Sequence, residues 1–435
     1  MNKYSKLLRS SKPQLCVFIV VLAYTFTVIP FEDVSRVFRT LLAIASVFYF
    51  ALEGKPLFKD PIFKFLLLAL IIPALSWVNG RSIIPEFISS GPHLERLARI
   101  FIFILLAYWL KGKTSRIYWL WGCFILGFTA ACLLFPDSIQ QIIDGINGRR
   151  VNFGIKNAQF TSMFAGLSLL GCLLSIPLAL KTKVKPSIKL FSCSVAFIFA
   201  VFSLLILVIS QSRQAWLAFA VAIFVMPIVA AFLYKKIRIV FFSYIVIGII
   251  GFTISQARIF ENRANQEHGT ISAIMEGKTI PMTSIGIRVN SWIAATDWIK
   301  AHPIIGSSSS AIPQVIQQSE RFSPQLKQQF GHLHNFYMET LVAYGVVGIS
   351  LIIGLYYWVL RSLFVYKSQC EDYNKQQLPI IIIGAFGLIT YWTIINCFET
   401  FNSRSFGVFA QTIIFSSIYT FYLSYRLDVN KKYTD

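Results

Sequence analysis

The segment Gly331-His332-Leu333-His334-Asn335 places two imidazoles and a carboxamide within five residues. Imidazole exchanges protons near neutral pH, so this segment could supply a general base. Histidines two apart can also start a metal site, but that chemistry needs a third ligand, and no carboxylate or cysteine lies nearby in the loop sequence. Glu339 follows five residues after His334, which puts it on a different helix face. A structural histidine at a membrane surface is the third reading. Asn335 suits capping a helix or binding a hydroxyl.

Guanidinium groups offer a second chemistry, because arginine keeps its proton and grips phosphate bidentately. Arg213 lies in Ser210-Gln211-Ser212-Arg213-Gln214, between two long apolar runs with almost no loop around it. It either snorkels from a helix end or faces an inner cavity and pairs with an anion. Arg288 and Trp292 are four apart, hence on one face of a helix within 283–300 whose tryptophans and polar residues suit a membrane interface. From spacing alone, Arg288 reads equally well as a solvated charge. Pro303 and Gly306 stop that helix, His302 is its end residue, and the serines at 307–310 read as flexible loop. Arg149, Arg150 and Lys156 form a third basic group among Asn147, Asn152 and Asn157. Glu399 is a rare carboxylate near a span end, with Arg404 as its suggested partner.

These residues need a scaffold, and composition says which. Of 435 residues, 56% are hydrophobic and 14% charged, with a mean hydropathy of +0.64. A soluble chain would carry about a quarter charged residues. Apolar runs long enough to cross a hydrocarbon core predict an all-α polytopic membrane protein with about twelve spans. They fall at 14–31, 36–53, 61–79, 96–110, 117–135, 159–181, 189–210, 214–234, 238–255, 334–360, 378–399 and 403–426. The whole chain, 1–435, reads as one integral membrane domain. A large loop, 256–333, joins the ninth and tenth spans. The first run lacks a small-residue cleavage pattern, so it reads as a retained span.

The formal charge of +21 is mostly a topology signal. Lysines and arginines cluster before the first span and after alternate ones, which predicts both termini in the cytoplasm. Their location argues against nucleic acid as a partner and adds attraction to anionic lipid. Arg150, Arg213, Arg288 and all five histidines then fall on the outer side, where the charge rule does not favour cations. The seven scattered cysteines suggest neither a disulfide framework nor a zinc site. No Walker loop, G-x-G-x-x-G or G-x-S-x-G is present, so nucleotide hydrolysis and serine-hydrolase chemistry have no support.

In order and spacing, Gly148-Arg149-Arg150-Val151-Asn152-Phe153-Gly154, Ser210-Gln211-Ser212-Arg213, Ser284-Ile285-Gly286-Ile287-Arg288, His332-Leu333-His334-Asn335 and Ala343-Tyr344-Gly345-Val346-Val347-Gly348 resemble the O-antigen ligase family. That resemblance implies a C-type-glycosyltransferase-like architecture in the bacterial inner membrane. It implies transfer of an O-antigen polysaccharide from undecaprenyl diphosphate to lipid A–core at the periplasmic face, with inversion and without metal or other cofactor. Arg213 and Arg288 would then bind the donor diphosphate, and His334 would deprotonate the acceptor hydroxyl. Arg150, Arg404, His332, Asn335 and Trp292 would support them. An O-antigen polymerase and an O-linked oligosaccharyltransferase share the donor. The chain's end about ten residues after its last span favours the ligase over the latter. A lipid-linked-glycan transporter is the rival of another class, but its basic residues should line a path through the bilayer and not gather at one face.

Overall fold

Inside hydrocarbon a backbone must satisfy its own hydrogen bonds, and a lone segment can do so only as a helix. The computed structural model describes residues 11–53, 58–238, 243–244, 268–369 and 376–432, and its regular structure is helical throughout. In chain order the helices are α1 (Ser11–Thr27), α2 (Glu32–Glu53), α3 (Pro61–Ile83), α4 (Glu95–Ala98), α5 (Phe103–Leu110), α6 (Thr114–Leu133), α7 (Ser138–Ile146), α8 (Ala158–Leu180), α9 (Pro186–Ile209), α10 (Arg213–Tyr234), α11 (His268–Met275), α12 (Ser284–Ala301), α13 (Ala311–Gln317), α14 (Pro324–Gln329), α15 (Phe336–Gln369), α16 (Leu378–Asn396) and α17 (Ser405–Lys432).

Among the described residues, nine helices have the length and apolarity to cross a membrane: α2, α3, α6, α8, α9, α10, α15, α16 and α17. The protein is a multi-pass membrane protein. α1 is apolar but shorter. The span expected at 96–110 is α4 and α5 joined through a 3-10 turn, Arg99–Phe101. The span expected at 238–255 lies almost wholly outside the described residues.

α17 is the central post. Of its apolar window, 94% is buried, against 17% for α10, which packs along α16 at the perimeter. Polar side chains tie α17 to its neighbours: Thr420 Oγ1 donates to Ala107 O at 2.8 Å, and Gln411 Nε2 to Ile100 O at 3.0 Å. Such bonds hold helices together where lipid gives burial little driving force. Exposed Leu217, Phe224 and Phe232 on α10 make the kind of surface that lipid would cover.

α15 is broken at Gly345, whose φ of +59° and ψ of −159° interrupt the helical ladder. The segment 303–308 docks into the gap. Ser307 N–H donates to Val342 O (3.0 Å) and Ser308 N–H to Ala343 O (3.1 Å), while Val346 and Val347 N–H donate to Pro303 O (2.8 Å) and Ile304 O (3.2 Å). Ser76 of α3 closes the junction, accepting from Ser308 N–H and donating to Ala343 O. Only glycine serves at 345, because a Cβ would lie 2.3 Å from Ile304 O. The serine run expected as flexible loop is therefore corrected: Ser307, Ser308 and Ser309 are buried. Their polarity matches the backbone groups that the broken helix exposes.

Candidate functional site

The basic segments meet at one end of the bundle. The turn between α9 and α10 is tight, with Gln211 in the left-handed region (φ +52°). That turn is stitched to the segment after α7: Gln211 Nε2 donates to Gly148 O at 2.9 Å, and Arg150 Nε to Ser210 O at 3.4 Å. Arg213 is the first residue of α10, behind Ser212 as N-cap, where the helix dipole adds positive potential. Arg288 is in the second turn of α12, its Nη1 bonded to Ser284 O (3.2 Å) and Ser284 Oγ (3.1 Å).

A cavity of about 450 Å³ opens between these elements. Arg150, Arg213 and Arg288 line it with Gln159, Gln211 and Gln214, and Trp292 and Phe398 close one wall. Among the described residues, no carboxylate lines it. Three guanidinium groups around one space attract an anion, and their planar forks suit phosphate oxygens. Arg288 and Trp292 share a helix face, as their spacing required.

The His-Leu-His-Asn segment sits behind that wall. Leu333 is its anchor: its N–H donates to Glu339 Oε1 (3.1 Å), and its carbonyl accepts from Trp292 Nε1 (2.9 Å). Asn335 caps α15, its Oδ1 accepting from Tyr337 N–H (2.9 Å) and Met338 N–H (3.1 Å). Between these anchors His334 takes a left-handed backbone (φ +51°) and its ring lies 4.0 Å from that of His332. The helix-face argument about Glu339 is thereby corrected. His334 precedes the helix, and Glu339 reaches back to fix the residue between the histidines.

Glu399, 65 residues away in sequence, completes the group. Its Oε2 lies 3.3 Å from His334 Nδ1 and its Oε1 3.9 Å from His332 Nε2. The suggested Glu399–Arg404 ion pair is not among those found in the described residues; the histidines take the carboxylate instead. Burial would raise the Glu399 pKa, but the His334 hydrogen bond and charge, the Thr400 N–H and His332 outweigh it and hold it below the ordinary carboxylate value. His332 is pushed down to about 4, first by burial and then by the charges of His334, Arg404 and Arg288, against the pull of Glu399. Arg404 is exposed and acts on this group only through its field.

The cavity and the histidine group are thus distinct but adjoining. His334 is not among the cavity-lining residues. Trp292 and Phe398 link the two, with ring centroids 6.1 Å apart, Trp292 bonded to Leu333 and Phe398 preceding Glu399. The absence of a third metal ligand, as read from the loop alone, is also corrected. His332, His334 and Glu399 each bring a ligand atom within 4.8 Å of the others.

Most of these residues fall inside one stretch that is similar to a known family. Residues 198–353 match the family model described as O-antigen ligase. The matched stretch includes Arg213, Arg288, Trp292 and the His332–His334 segment, whereas Arg150 and Glu399 lie outside it and join the site through the fold. An uncharacterized protein of Haemophilus influenzae is 25% identical over 246 residues, which is 55% of this chain. The match spans 60% of that relative's length.

Proposed function

We propose that the protein is a glycosyltransferase that moves O-antigen polysaccharide from undecaprenyl diphosphate onto lipid A–core, at the periplasmic face of the bacterial inner membrane. The observation that carries this reading is the convergence of Arg150, Arg213 and Arg288 on one cavity, beside a histidine paired to a buried glutamate. A sugar diphosphate donor needs fixed cations as negative charge grows on the leaving group, and preformed guanidinium groups supply them. The acceptor hydroxyl oxygen attacks the anomeric carbon from the face opposite the diphosphate. The carbon–oxygen bond to the diphosphate breaks, the leaving group keeps the electron pair, and the configuration inverts.

His334 takes the acceptor proton. Glu399 can only accept a hydrogen bond, so it selects the tautomer with hydrogen on His334 Nδ1. Nε2 then keeps its lone pair and serves as the base. Glu399 acts as a positioning residue. The test is transfer by purified protein from lipid-linked glycan, with and without lipid A–core. Capped lipid A–core, formed only when core is present, is the expected product. Lengthened lipid-linked glycan without core would instead make the protein a polymerase.

A further inference from the structure

We infer that His332, His334 and Glu399 form a binding site for zinc(II), and that an ion seated there switches the transfer reaction off. The switch, though not the binding, rests on His334 being the base. Two imidazoles and one carboxylate form a ligand set of the kind zinc favours, whereas magnesium and calcium prefer oxygen donors throughout. The ligand atoms lie within 4.8 Å of one another, with separations of 3.3 Å and 3.9 Å from Glu399 to the two rings. Zinc–ligand bonds of about 2.0–2.1 Å require these atoms to draw together by roughly 1.5 Å at most, which side-chain rotation supplies.

The rings are already presented to the ion. Leu333, between them, is held on one side by Glu339 and on the other by Trp292. Glu399 is buried, and His332 keeps 30% of its side chain exposed, so an ion can enter past His332. Arg288 and Arg404 bear on His332 and oppose a dication. That field makes the site weaker than a structural zinc centre, and so reversible.

Occupation and base action exclude each other because of which nitrogen is used. In the free group Nδ1–H of His334 faces Glu399 and Nε2 holds the lone pair. A zinc ion on Nδ1 takes the electron pair there, and the ring hydrogen moves to Nε2. That nitrogen can then donate but no longer accept. No net proton is released, and no redox partner is involved.

The test uses chelator-stripped full-length protein in nanodiscs, titrated with cobalt(II) as an optical probe and then competed with zinc(II). One cobalt per chain with tetrahedral visible bands, displaced by zinc, is expected. His332→Gln and Glu399→Gln, checked for folding by gel filtration and circular dichroism, should each weaken binding by more than the 10–100-fold typical of losing an outer-shell partner. Zinc should inhibit transfer with the half-saturation of its binding, and chelator should reverse it. Absence of stoichiometric binding, or binding unchanged in both variants, overturns the site. Full transfer at saturating zinc overturns the switch and His334 as base together. A protein that binds zinc but performs no transfer even when metal-free would remove the proposed function and leave the binding site standing.

Discussion

His334 is held in a left-handed backbone conformation, which costs a residue with a side chain about 1–3 kcal/mol. The bonds to Leu333 and Asn335 on either side hold it there, and the result is an imidazole aimed at Glu399. His334→Ala should lower transfer by about 10²–10⁴-fold with the fold retained, as loss of a general base does, measured as capped lipid A–core. Arg213→Lys should fail by at least about tenfold, because a point charge cannot replace the fork; full activity in that variant would favour snorkelling. His332 has its own signature. Its folded pKa of about 4 lies below the ordinary 6.5, so the unfolded chain takes up the proton first as pH falls. Folding stability should therefore drop between roughly pH 6.5 and 4, and His332→Gln should flatten that slope in thermal melts run with chelator. Glu399 shifts downward as well, and its contribution, present at neutral pH, is lost only as pH falls below its ordinary value.

At the scale of elements, the break in α15 is what seats the segment 303–308, which follows α12, against the helix that follows the histidines. Gly345→Ala would drive a Cβ to 2.3 Å from Ile304 O in a left-handed position. It should lower the melting temperature by an amount equivalent to at least about 1–3 kcal/mol and reduce transfer, although residue 345 touches no proposed substrate. The helices themselves were legible in the sequence, since each span must carry its own apolar surface. The position of Arg213 at a span end and the shared face of Arg288 and Trp292 were legible too, because both are local signals, whereas spacing alone left open whether Arg288 faces a cavity or solvent. Glu399 as the partner of His334 was not, because 65 residues separate them and no local spacing encodes the pairing. The buried serines were misread for a related reason. Serine composition is the same in a mobile loop and in a segment that pairs with a broken helix, and only the acceptors on α15 distinguish the two.

For the whole molecule, the alternating clusters of basic residues predict sidedness, with the cavity facing away from the cytoplasm. In a background without native cysteines, Gln318→Cys should react with a membrane-impermeant thiol reagent applied to spheroplasts, whereas Lys183→Cys should react only after lysis. The reverse pattern would turn the topology over.

The junction at Gly345 also bears on how such a protein is assembled. The carbonyls of Val342 and Ala343 and the N–H groups of Val346 and Val347 find backbone partners in the segment 303–308, which is not part of their own helix, and Ala343 O also accepts from Ser76 of α3. On insertion of α15 these four groups start unmatched, in a place where water is scarce and each bare polar group is costly. They are matched when the segment containing Pro303 and Ser308 closes over them. Closure of that seam therefore requires α15 to be in place, and it fixes the end of the molecule that carries His334. A chain in which that seam stayed open would leave the segment at 303–308 undocked, a state that limited proteolysis near residue 305 would detect.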